Sequence, residues 1–273
     1  MFRASHAAAL VALAILSSPT VADERESVAL IGTGDMADSL GPRLAALGYR
    51  VTYGSRDPSS ERVRELVAST GHGASATSQV EAARSGEIVF LLVTWPAMGT
   101  VARNLGDLSG KIVVDVSMPF EQGKDGYPQS MLETSSAEMI QRWNPGARVV
   151  KAFAAQGSQI IDDPQSAGGT ISVPIASDFP DAKLRVAGIA DALGLDPVDF
   201  GPLRMARSIE ALQMIYMIPY VQRRKAMWEF TFRRSNYWAC HAASESLVPV
   251  FDADSLASFP GAANTRFEPC ASE

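Results

Sequence analysis

From residue 27 the chain alternates short apolar runs with stretches in which apolar positions recur every three to four residues. The apolar runs at 28–31, 50–53, 88–93, 112–116, 148–152, 170–175 and 197–200 predict strands. Between them Leu40, Leu44 and Leu47, and then Val63, Leu66 and Val67, fall at helical spacing. Strands alternating with helices imply βαβ units and a parallel sheet. The unbroken run Val89-Phe90-Leu91-Leu92-Val93 suits a strand covered on both faces. The predicted class is therefore α/β, a Rossmann-type doubly wound, mostly parallel sheet. Pro42 falls well inside the first helical pattern. It cannot donate to the carbonyl four residues back, so a kink is expected there.

After Phe200 the pattern changes. Residues 203–238 carry no strand signal and read as a helical extension broken at Pro219; from Ser244 the periodicity fades into a loosely ordered tail. The expected organisation is a leader over 1–22, a Rossmann domain over 23–201, a C-terminal helical extension over 202–238 and a tail over 239–273. The leader has Arg3, an apolar run at 7–16, and a small-residue exit with Thr20 and Ala22 at the −3 and −1 places. It reads as a secretory signal cleaved after Ala22, which makes the protein periplasmic or secreted. The alternative is an apolar helix or a misassigned start, which makes it cytoplasmic.

The sequence is 47% hydrophobic and 20% charged, with a net charge of −6. That balance suits a globular core and argues against general nucleic-acid binding. No stretch beyond the leader is long and apolar enough to span a bilayer. Cys240 and Cys270 are the two cysteines. In an oxidising compartment they read as a disulfide, and otherwise as two thiols.

The sharpest motif is Gly32-Thr33-Gly34-Asp35-Met36-Ala37, which follows a predicted strand and opens a predicted helix. Gly32 permits a tight turn, Gly34 lets the backbone approach a pyrophosphate, and Ala37 stands where helix and strand pack closely. The helix N-terminus offers free N–H groups to phosphate. At the end of the second strand an NAD site calls for a carboxylate on the ribose hydroxyls. This chain has Ser55 and Arg56 instead. A guanidinium and a hydroxyl suit a 2′-phosphate, so NADP(H) is expected in preference to NAD(H). Ligands of such sheets sit beyond the carboxyl ends of the strands, which adds Thr94, Trp95, Ser117, Met118 and Pro119 to the expected crevice. Trp95 reads either as a stacking wall or as a packed loop residue.

Several segments together carry a resemblance. Gly32-Thr33-Gly34-Asp35-Met36, Gly54-Ser55-Arg56, Asp115-Val116-Ser117-Met118-Pro119, Val150-Lys151-Ala152-Phe153, Val173-Pro174-Ile175, the run 178–183, Gly201-Pro202-Leu203 and the run 206–210 occur in order. In this combination the sequence resembles the NADPH:coenzyme F420 oxidoreductase family, closest to the reductase domain of STEAP-type metalloreductases. The resemblance implies NADP(H) as cofactor and hydride transfer to a flavin or a deazaflavin (F420). It also implies that Ser117, Met118 and Ala154 lie at the nicotinamide end. Relatives carry Asn where this chain has Met118 and Ala154. Those departures keep open a non-catalytic, NADP-binding or partner-docking protein of the cell envelope. Hydride transfer between two rings needs alignment more than an acid or base, so no catalytic side chain is assigned.

The remaining polar residues carry less. His72 lies between two glycines and reads as a loop residue. His241, beside Cys240, lacks a third ligand, and no metal is expected. Lys151, on a strand, reads as structural or as cofactor packing, with general-acid work the weaker reading. Arg207 and Glu210 stand one helical turn apart and read as a surface ion pair. The stretch 220–238 mixes Arg223, Arg224, Lys225, Arg233 and Arg234 with Trp228, Phe230, Phe232, Tyr237 and Trp238. It reads either as aromatics packed on the sheet beside solvated arginines, or as a surface for a membrane or a protein partner. The partners expected are the dinucleotide and a redox acceptor, with a homodimer left open.

Overall fold

The computed structural model describes residues 26–222, 227–233 and 259–260. In chain order the elements are β1 (Ser27–Ile31), α1 (Asp35–Ala46), β2 (Arg50–Ser55), α2 (Glu61–Thr70), β3 (Ser75–Ser78), α3 (Gln79–Ser85), β4 (Ile88–Leu91), α4 (Trp95–Asn104) and β5 (Ile112–Asp115). A hairpin of β6 (Phe120–Gln122) and β7 (Pro128–Ser130) follows, then α5 (Ser136–Trp143), β8 (Arg148–Lys151), α6 (Ser158–Asp162), β9 (Ser172–Ile175), α7 (Pro180–Ala192) and β10 (Asp196–Asp199). A 3-10 turn at Leu203–Met205 leads into α8 (Ala206–Tyr216) and α9 (Ile218–Val221).

The main sheet has six parallel strands in the order β3-β2-β1-β4-β5-β8. A parallel pair, β9 with β10, joins its edge through an antiparallel bridge between Lys151 and Ala176. The strand order reverses between β1 and β4, and a crevice opens at such a switch point beyond the carboxyl ends of the strands. This is the doubly wound class that the alternating pattern predicts.

The two-residue period of a strand divides the core. Val28 and Leu30 point into a layer with Leu40 and Leu44 of α1 and Val186 of α7. Ala29 and Ile31 point into the opposite layer, with Ala82 of α3 and Met98 of α4. Both layers are dry, which is why these strands read as continuous apolar runs. Helix α1 continues through Pro42 as one helix. Just before it, Gly41 leaves the space in which the Tyr53 ring lies; a Cβ there would come within 1.7 Å of the phenol oxygen.

Three expectations need correction. Strand β3 and the β6–β7 hairpin were not predicted. β3 is short and polar, and the hairpin buries little, so neither has an apolar run to announce it. The strands expected at 88–93 and 112–116 end at Leu91 and Asp115, because the residues beyond them turn away to line the crevice. The helical extension stops at Val221, and the described residues 227–233 are not helical. Phe230 accepts from the Ser172 amide at 2.8 Å, and the Phe232 amide donates to the Ser172 hydroxyl at 2.9 Å. Phe232 also meets Phe200 edge-on, with ring centroids 5.3 Å apart. Thus Phe232 follows the packing reading, whereas Tyr220 and Trp228 are exposed. The leader over 1–22, both cysteines, His241, and Arg223, Arg224, Lys225, Arg234, Tyr237 and Trp238 lie outside the described residues.

Candidate active site

The turn after β1 is built from glycines with different duties. Gly32 has φ of +131°, and a Cβ on it would fall 2.5 Å from the Leu92 carbonyl oxygen, so only glycine lets β1 and the end of β4 approach this closely. Gly34 caps α1 in an extended conformation, and a Cβ there would meet nothing within 4 Å. No side chain caps the first turn of α1. The uncapped N–H groups and the open space above Gly34 together suit an anion such as pyrophosphate. Ala37 is fully buried where α1 meets the sheet.

A cleft of about 700 Å³ runs from this turn along the end of β2. Gly32, Thr33, Gly34, Ser55, Arg56 and Thr94 all line it. Arg56 is exposed and makes no hydrogen bond or ion pair among the described residues. The Ser55 hydroxyl accepts from the Asp57 amide at 3.1 Å, which leaves its own hydrogen to donate. The Asp57 carboxylate is engaged by the Ser59 amide and hydroxyl, whose hydrogen bonds hold its pKa below the usual carboxylate value. Arg62 also lines the cleft and pairs with Asp38. β2 ends on Ser55 rather than on the carboxylate that an NAD site needs, the cleft's Asp57 is held by Ser59, and the donors present fit a 2′-phosphate.

A second cavity, of about 340 Å³, shares Leu92, Val93 and Thr94 with the first and extends over Met36, Trp95, Pro96, Val116, Ser117, Met118 and Phe120. Trp95 is both wall and packing. It lines the cavity and stacks on Trp143, with centroids 6.0 Å apart and planes 18° from parallel. Arg103 covers the Trp143 ring 4.5 Å from its centroid. Three expected residues are not brought to either cavity. Asp35 is exposed at the start of α1. Pro119 lines only a smaller space beneath the loop. Ala154 is 6% exposed and packs against Ala176 and Ile209, while its carbonyl accepts from the Gln213 amide.

Behind the second cavity lies a buried polar cluster that sequence reasoning missed. Lys151, on β8, is completely buried. Its ammonium donates to Asp115 Oδ2 at 3.1 Å, the Ser117 carbonyl at 2.6 Å and Ser136 Oγ at 2.9 Å, and it lies 3.2 Å from Glu210 Oε1. Asp115 Oδ1 accepts from both the amide and the hydroxyl of Ser117, at 2.9 and 2.6 Å. Glu210 Oε1 accepts from the Ser136 amide at 2.8 Å. Burial pushes the Glu210 carboxyl above its ordinary pKa and the Asp115 charge adds to that; Lys151 and the Ser136 hydrogen bonds act in the opposite sense. The expected Arg207–Glu210 ion pair does not form. Arg207 instead holds Glu138, donating at 2.8 and 2.7 Å, while Glu210 turns inward. Helical spacing places two residues one turn apart but does not say which of them faces the core. The capping-box spacing at Ser135 and Glu138 was the available signal that a helix starts beside this cluster. Among the described residues no group of His, Cys, Asp or Glu could hold a metal ion, and no helix is long and apolar enough to cross a membrane.

Fold and cleft define a Rossmann-type domain with a crevice at the switch point of its sheet. More particularly, residues 27–119 match the family described as NADP oxidoreductase, coenzyme F420-dependent. The chain is 35% identical over 195 residues to the metalloreductase STEAP3 of Rattus norvegicus, an alignment that covers 71% of this chain and 38% of that protein. It is 29% identical over 195 residues to an F420-dependent NADP reductase of Methanothermobacter marburgensis, covering 66% of this chain and 86% of that one. A crystal structure of a proposed F420-dependent NADP reductase from Arthrobacter sp. FB24 superposes with a TM-score of 0.69 at 28% identity, over 76% of this chain and 99% of that one. The chain thus spans under two fifths of the length of its metalloreductase relative and nearly all of the smaller reductases. The family resemblance carried by the motifs holds.

Proposed function

We propose that the protein transfers a hydride between NADP(H) and a flavin or deazaflavin acceptor. One observation carries this reading. The two cavities share Leu92, Val93 and Thr94 in their walls, and Arg56 lines one while Ser117 and Met118 line the other. In this reading the N-terminus of α1 and Gly34 hold the pyrophosphate, Ser55 and Arg56 select the 2′-phosphate, and Trp95, Ser117 and Met118 flank the nicotinamide. The bound dinucleotide supplies the hydride; the chain supplies alignment and a partly apolar wall that excludes water. The name of one relative, an F420-dependent NADP reductase, supports a deazaflavin ring as acceptor. A leader ending at Ala22 makes this an exported enzyme.

A second reading, a non-catalytic NADP-binding protein of the envelope, draws on Met118, a thioether where relatives present an amide. Titrating the protein with NADPH and NADH, then following NADPH oxidation with flavin and deazaflavin acceptors, separates the two. Tight NADPH binding with turnover supports the enzyme. Tight binding with no turnover on any acceptor supports the second reading, and equal affinity for NADH removes the assigned role of Arg56.

A further inference from the structure

Beneath the Met118 loop lies a cavity of about 10 Å³, room for one water molecule. Met118, Pro119, Phe120, Ser130, Glu210, Gln213 and Met214 line it, and Met118 and Phe120 also line the proposed nicotinamide cavity. Two oxygens at this cavity's residues lack partners. Gln213 is fully buried, and its Oε1 accepts no hydrogen bond among the described residues. Glu210 spends Oε1 on Ser136 and Lys151, and its Oε2 makes no hydrogen bond among the described residues. A water between a carboxyl and an amide oxygen has the polar partners that a buried water requires.

The charge balance of the cluster is uneven. One ammonium, Lys151 from β8, stands against two carboxyls, Asp115 from β5 and Glu210 from α8. The single hydroxyl hydrogen of Ser136, from α5, lies within reach of both acids. It can serve only one of them. A proton on Glu210 relieves both conflicts, and the raised position of its carboxyl fits that assignment. The neighbouring charged pair, Glu138 and Arg207, is satisfied within itself and does not bond Glu210.

We propose that Glu210, through one water in this cavity, supplies a proton to the acceptor as it takes up the hydride. The inference rests on the hydride-transfer reading above. As the dinucleotide C–H bond breaks, its electron pair forms a new bond to the acceptor ring, which gains one negative charge. The Glu210 O–H bond breaks, its proton passes to the water, and a proton of that water forms the bond that neutralises the acceptor. The dinucleotide is oxidised, the acceptor is reduced, and Glu210, left as a carboxylate beside Lys151, regains its proton from solvent. Glu210 acts through water and so is a relay residue.

The test combines Glu210→Gln, Glu210→Asp and a readout that needs no turnover. In the infrared difference spectrum of wild type minus Glu210→Gln, the unliganded protein at neutral pH is expected to show a protonated carboxylic acid; its absence overturns the proposal. In steady-state kinetics the wild-type rate is expected to fall as pH rises through the Glu210 ionisation and to show a solvent deuterium effect. Glu210→Gln should lower kcat about a hundredfold, abolish both signatures and leave NADPH affinity unchanged. Glu210→Asp should restore part of the pH dependence. If NADPH is oxidised and Glu210→Gln keeps the wild-type rate and pH profile, the relay is wrong and the hydride reading stands. If no acceptor is reduced, the hydride reading falls and takes the relay with it.

Discussion

The completely buried Lys151 ammonium donates to the Ser117 carbonyl across 2.6 Å. The loop that walls the second cavity is therefore held from below by a charge on the neighbouring strand. Asp115 grips the same loop from its own strand end through the Ser117 amide and hydroxyl. Loop position and cluster charge are thus linked, and the predictions begin there.

Removing the cation alone leaves two acids in a dry interior. Lys151→Met is expected to cost about 3–5 kcal/mol of unfolding free energy, the scale for breaking a buried ion pair from one side. Combining it with Asp115→Asn and Glu210→Gln should recover much of that loss. Denaturant melts of the single and triple variants decide it. A single variant as stable as wild type means that the cluster carries no net charge coupling.

Two glycines of one turn should respond differently to the same substitution. Gly32→Ala meets the Leu92 carbonyl and a left-handed φ, and is expected to destabilise the fold by about 1–3 kcal/mol or more. Gly34→Ala meets nothing and should leave stability within roughly 0.5 kcal/mol of wild type. Its methyl group stands where the pyrophosphate is expected, so NADPH affinity should fall on the order of tenfold or more. Thermal melts with and without NADPH separate these effects; unchanged affinity in Gly34→Ala would displace the phosphate from α1.

Among the described residues Arg56 has no partner to lose. Arg56→Ala should therefore leave the melting temperature unchanged and weaken NADPH binding on the order of ten- to a hundredfold, the range for a hydrogen bond to a charged group. NADH binding should barely move. Equal losses for both dinucleotides in a fluorescence titration would refute the selection role.

The two departures from the family should not behave alike. Met118 lies at the cavity wall, and Met118→Asn is expected to raise turnover with little change in dinucleotide affinity. Ala154 is packed against Ala176 and Ile209, so Ala154→Asn should cost about 1–3 kcal/mol by overpacking. Kinetics and melts of the single variants check both. A Met118→Asn protein with unaltered turnover places the nicotinamide elsewhere.

Glu229 links the segment 227–233 to pH. Burial raises its carboxyl to about 7, and its Oε2 has no hydrogen-bond partner among the described residues. A carboxyl raised in the folded state is more protonated there than in the unfolded chain. The stability it contributes is full below the ordinary carboxylate pKa near 4.5 and is lost as pH rises from there through about 7. Glu229→Gln should flatten that decline. Hydrogen exchange at the Ser172 and Phe232 amides, which bond across this segment, should quicken with pH beyond the intrinsic rate in wild type only. Identical profiles in both proteins would assign the decline to another group.

The parallel sheet, the glycine turn and the exchange of a carboxylate for Ser55 and Arg56 were all readable in the chain, because each is local. Two-sided burial leaves continuous apolar runs, a left-handed turn selects glycine, and a phosphate subsite needs particular donors at a strand end. What the chain could not disclose depends on which distant residues meet. Polar β3 and the small hairpin owe their pairing to neighbours rather than to their own pattern. Residues 227–233 leave the helical path because Ser172 offers them an amide and a hydroxyl. Lys151, Asp115, Ser136 and Glu210 are scattered over four elements, and helix spacing assigned Glu210 to the wrong partner. Only the packing of α8 against α5, β7 and β9 turns it inward, where low dielectric gives one acid and one lysine their importance.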